Sequence, residues 1–150
     1  MKRLSIFRHF AIVVVAITSI LAFSSFTTTT KVEESSNKDF IHAIVDEIKK
    51  SLPIDAGGGL LMTDAYLTSS YFVFEYTCSD TIIDLTREGM KQLSKGEMIQ
   101  SSFSDESSVI LAKLCMEYNY GMRMVFVNKG RSNVLEMSFS LSDLKTYLNK

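Results

Sequence analysis

The side chains in this chain that could do chemistry are few and scattered. Beyond the first thirty residues there is a single histidine, His42, standing among Phe40, Ile41 and Ala43. A serine or cysteine nucleophile usually draws on a nearby base, most often histidine, so His42 would have to serve alone. Its setting reads more simply as a solvated or partly packed helix position. One histidine and no clustered cysteines also lack the ligand set of an ordinary zinc site. Gly57-Gly58-Gly59 offers bare amides to an anion, but neither a Lys-Ser/Thr pair nor a helix follows it, so it reads as a turn. Met122 and Met124 are two apart on a strand and share a side, as a thioether site for a soft metal would require. Tyr120 and Phe126 occupy that same side, so the pair reads as adaptable core filling. Asp80 and Asp84, one helical turn apart, have the spacing of paired carboxylates. Asp80 serves more simply as a helix cap and Asp84 as a solvated residue near the positive helix end. No cofactor is expected.

Covalent chemistry rests on Cys78 and Cys115. The first ends the core side of a strand and the second lies on the apolar side of a helix, so both should face one interior. In an exported protein two such cysteines either join or stay buried as free thiols, and their spacing leaves both outcomes open. A bridge would contribute about 3–4 kcal/mol through loop closure.

The elements that must carry these residues follow from periodicity. Ser36 and Asp39 have capping-box spacing, and Phe40, Ile41, Ile44, Val45, Ile48 and Leu52 then build one side of a helix that Pro53 ends. Ala56 to Gly59 reads as a loop. Leu60 to Leu67 and Tyr71 to Cys78 read as strands of an antiparallel hairpin. Ser79 or Asp80 opens a second helix with Ile82, Ile83, Leu85, Met90 and Leu93, ending near Gly96; a third runs from Asp105 to Tyr118. Tyr120 to Val127 and Val134 to Phe139 form a second hairpin, and Ser140 with Asp143 caps a closing helix. The expectation is a single α+β domain over residues 37–150, in the order α-β-β-α-α-β-β-α. Its antiparallel sheet has about four strands, in two hairpins, with helices packed on one face.

The chain opens with an export signal. Lys2, Arg3 and Arg8 precede an apolar run from Phe10 to Phe23, followed by Ser24, Ser25 and four threonines. The run is short against the roughly 20 residues of a bilayer span, and Ala22 and Ser24 supply the small residues of a cleavage site. Residues 1–30 are therefore read as signal peptide and short polar leader, and the product as periplasmic or secreted. No cysteine follows the run, so it is not a lipoprotein, and a membrane enters only if the leader stays uncleaved. Loss of the three leader cations leaves thirteen basic residues against seventeen acidic ones, a net charge of −4. With its lysines and arginines scattered among acids, the chain is not expected to bind nucleic acid.

Leu52-Pro53-Ile54-Asp55 after a helix, the aromatic strand Tyr71-Phe72-Val73-Phe74-Glu75-Tyr76, and Gly121-Met122-Arg123-Met124-Val125-Phe126 entering a hairpin resemble small exported Gram-negative proteins of the quorum-sensing-regulated virulence factor type. The resemblance covers residues 37–145 in layout. It implies an α+β domain outside the cytoplasm. The cysteine distribution differs from that group, and no functional residue carries over.

Strand alternation then sets a face. With Phe72, Phe74, Tyr76, Met122, Met124 and Phe126 toward the helices, the opposite face carries Tyr71, Val73, Glu75, Arg123, Val125, Val127, Val134 and Glu136. Several of these are apolar, which suits a protein or peptide partner or a second copy of the chain, unless the chain's own segments cover them. The leading expectation is an exported binding domain using that face or an exposed strand edge. The alternatives are a membrane-tethered accessory protein and an enzyme with an unorthodox carboxylate site.

Overall fold

The structure, a computed structural model, describes residues 34–149; the signal peptide expected over residues 1–30 lies outside them. Helix α1 (Glu34–Ser51) buries Ile41, Ile44, Val45 and Ile48 along one stripe and ends on Lys49 and Lys50, cations suited to the negative helix end. It already includes Ser36, so the Ser36–Asp39 spacing falls inside the helix and is not its cap.

The segment after Pro53 corrects the expected loop. Ile54–Gly57 is a strand, β1, hydrogen-bonded to β2 (Leu60–Leu67). Gly58 (φ 62°) and Gly59 (φ 84°) turn the chain between them, and a hairpin with positive φ at both central residues matches the right-handed strand twist. A second turn, in which Thr68 Oγ1 accepts the Tyr71 N–H at 2.9 Å, leads to β3 (Tyr71–Thr77).

Three helices follow where two were expected. Ser79 Oγ accepts from the Ile82 N–H and caps α2 (Asp80–Gln92). Leu93 is extended, and a complete Ser94–Glu97 capping box opens α3 (Lys95–Ser102). Gly96 therefore lies inside a helix instead of ending one, and a Cβ there would come within 2.6 Å of the Tyr147 ring. Asp105 caps α4 (Glu106–Glu117), and then come β4 (Gly121–Val127), β5 (Val134–Phe139) and α5 (Leu141–Leu148) with its Ser140–Asp143 box.

The architecture is α+β, but among the described residues the sheet has five strands, not four, and it is mixed. Strand order follows the chain, β1 to β5, with antiparallel pairs except β3 and β4, which run parallel from Tyr71↔Gly121 to Thr77↔Val127. The β1–β2–β3 meander and the β4–β5 hairpin are joined by a crossover through α2, α3 and α4, which returns the chain to the end where β3 began. Ile41, Ile48, Ile83, Ile99, Leu111 and Leu144 from the five described helices meet Phe72, Phe74, Tyr76 and the methionines of β4 in one core. Leu85, expected on the apolar side of α2, is 58% exposed. The other sheet face has its own small cluster, Val73, Val125 and Val127, to which no described helix contributes.

Candidate interaction face

Strand register arranges this second face in rows. Tyr66, Val73, Arg123 and Ser138 stand side by side, and so do Asp64, Glu75, Val125 and Glu136, then Leu61, Thr77, Val127 and Val134. All eight residues expected on the face belong to it, but not in one role. Val73, Val125 and Val127 form a buried floor on which Tyr66 and Tyr71 pack, so they do not stand in water; Val73 is 0% exposed. Val134, 46% exposed, and Glu136 lie at the β5 edge in contact with solvent.

The rim around that floor is held in place. Arg123 Nε donates to Ser138 Oγ at 2.9 Å while its guanidinium lies 4.3 Å from the centroid of the Tyr71 ring. Gly121 lets the ring lie there, since a Cβ would be 3.0 Å from Tyr71 Cδ1 and 2.5 Å from the Phe139 carbonyl oxygen. From the β4–β5 loop Arg131 reaches Glu75 through both carboxylate oxygens, at 2.6 and 3.2 Å. That pairing keeps the Arg131 guanidinium above its already high ordinary pKa.

The loop itself is built on Asn128. Its side-chain oxygen accepts the N–H groups of Ser132 and Asn133, and its amide nitrogen donates to Ser132 Oγ and to Asp80 Oδ1. Asn133 Nδ2 also donates to Asp80, at 3.0 Å, and its Oδ1 accepts from Arg87 at 2.7 Å. The loop is thus fastened to the start of α2 on one side and to the outer face on the other. Sequence reasoning passed over Tyr66, Arg131 and this loop; the paired asparagines at its ends were the available signal.

The remaining chemical candidates disperse. His42 is exposed on α1, and Asp80 and Asp84 serve the loop and Arg87. Met122 and Met124 are fully buried beside Phe72 and Phe74. Cys78 and Cys115 both belong to the main core and are free thiols. Burial raises both thiol pKa values, far more for Cys115; for Cys78 the neighbouring Asp80 charge adds to it. Among the described residues no three His, Cys, Asp or Glu side chains converge as a metal site, and no helix is long and apolar enough to cross a membrane. An open depression along α5 is lined by Leu141, Ser142, Lys145 and Thr146, without a carboxylate.

No protein-family model and no curated protein matches this chain. Among solved structures it is similar to a candidate secreted protein of Pseudomonas aeruginosa, with a TM-score of 0.56 and 8% identity. The match covers 77% of this chain and 98% of that one. The superposition shows a shared fold, and at that identity nothing of activity.

Proposed function

We propose that this protein is an exported interaction domain that binds a protein or peptide through its helix-free sheet face. One observation carries the reading: Tyr71 and Arg123 are held in a fixed pair over a buried valine floor. Aromatic and guanidinium groups ordered in advance lose little entropy on binding, and such residues dominate interface energetics. Export is supported by the basic, apolar and small-residue order of residues 1–30, with residues 37–150 as the mature domain. The fold shared with the candidate secreted Pseudomonas protein supports the export reading.

The test is capture from the producing cell's envelope and surroundings, with an intact mass of the exported protein to locate cleavage. Because Val73 and Val125 are buried, the variants belong on the rim. Arg123→Glu should weaken capture by about thirtyfold, the loss of roughly 2 kcal/mol expected of a central anchor. Lys91→Glu, on the exposed end of α2, should leave it unchanged. Equal capture by both variants at unchanged melting temperature would reject the face.

A further inference from the structure

The two edges of the sheet are not alike. β1 is four residues long and its pairing is interrupted between Asp55 and Gly57, which blunts it as a template. β5 is six residues, Val134 to Phe139, in unbroken register with β4, and contains neither proline nor lysine. The direction of its backbone groups can be derived twice. Asn128 N–H donates to the Asn133 carbonyl, so that pair is hydrogen-bonded and alternation turns Leu135, Met137 and Phe139 toward β4. Independently, Gly121 N–H donates to the Ser70 carbonyl and the Val127 carbonyl accepts from Cys78 N–H. Odd-numbered residues of β4 therefore address β3 and even-numbered ones address β5. By both routes the N–H and C=O groups of Val134, Glu136 and Ser138 point away from the sheet, and none has a hydrogen-bond partner among the described residues.

Glu136 is the middle one of the three, exposed, with no cation paired to it among the described residues. In the register that pairs all three outward-facing residues, Val134, Glu136 and Ser138, with those of a second copy, an added antiparallel strand would set Glu136 opposite its own counterpart, an unfavourable pair of like charges. From this we infer that β5 takes up an extended peptide as a sixth, antiparallel strand, one with a lysine or arginine opposite Glu136 and an apolar residue opposite Val134. The occupant is a foreign strand of complementary charge and not a second copy of this chain. The inference rests on the proposed interaction role and assigns its partner's chemistry.

The probes are the capped pentapeptides Thr-Val-Lys-Thr-Val and Thr-Val-Glu-Thr-Val, which place Lys or Glu opposite Glu136, titrated into isotope-labelled protein while amide exchange is followed by NMR. The lysine peptide should slow exchange at the Val134, Glu136 and Ser138 amides and bind about fivefold more tightly than its glutamate twin, the range of a cross-strand charge pair. Glu136→Lys should invert that preference. Val134→Pro removes one outward N–H at the first strand position while sparing the bonds to β4, and should lose the peptide without unfolding. Equal affinity for both peptides, no binding of either, or unaltered binding by Val134→Pro would overturn the inference. Shifts at Tyr71 and Arg123 without protection of the β5 amides would also overturn it, while leaving the face reading standing.

Discussion

Replacing Gly121 by alanine should destabilise the fold at the root of the candidate face. The added Cβ would sit 2.5 Å from the Phe139 carbonyl oxygen and 3.0 Å from two Tyr71 ring carbons. A side chain can rotate away from such a clash, but the Phe139 carbonyl belongs to the backbone of the paired strand, so β4 and β5 must part where they are joined. Overpacking costs about 1–3 kcal/mol, and a backbone obstacle places this case in the upper half. Displacing Tyr71 from Arg123 adds about 0.5–1 kcal/mol. A total near 2.5–4 kcal/mol should lower Tm by roughly 10–16 °C in a domain of this size. Gly89 supplies the control: it lies inside α2, and its Cβ would meet nothing within 4 Å. Gly89→Ala should therefore stabilise by about 0.5–1 kcal/mol through helix propensity alone, raising Tm by roughly 2–4 °C. Thermal melts and urea midpoints read both variants. If Gly121→Ala melts within about 2 °C of the parent, or both move Tm in one direction, the close approach does not have the role assigned to it.

Thiol labelling should find the folded protein nearly inert, with Cys78 reacting before the fully buried Cys115. Unfolding without reductant should then release two thiols; zero would show a bridge. At α5, burial of Asp143 works against ionisation, but hydrogen bonds from Lys95 and Ser140 outweigh it and hold the carboxyl below its ordinary pKa. Its stabilisation is therefore complete above the unfolded value of about 3.9 and is lost as pH falls through the lower folded value. Asp143→Asn should lower Tm near neutrality, with the gap closing in acid; a gap independent of pH would contradict this.

Much of the local structure was legible because short-range physics decides it. The apolar stripe of α1, the alternation of β3 and β4, the cap at Ser79 and the box at Ser140 all appear where residue type and spacing place them. The failures have nonlocal causes. Gly96 looked like a helix stop, since glycine is a poor helix former, but it is where the ring of Tyr147 packs against α3 from α5. Ile54–Gly57 is too short to show alternation and is a strand only because β2 supplies its hydrogen bonds. Likewise, nothing near Arg131 in the chain announces Glu75 as its partner.

By itself, then, the sequence determined an α+β composition, the faces of β3, β4 and β5 that turn inward, and eight residues of the opposite face. Those follow from hydropathy and from the fixed periods of helix and strand. Tertiary structure alone decided that β3 and β4 run parallel, that Val73 is a buried floor, and that β5 is an edge of the sheet among the described residues. Each of these depends on which distant segments become neighbours. A residue's exposure or free hydrogen-bonding groups are properties of what lies beside it, and the chain's local pattern does not contain that.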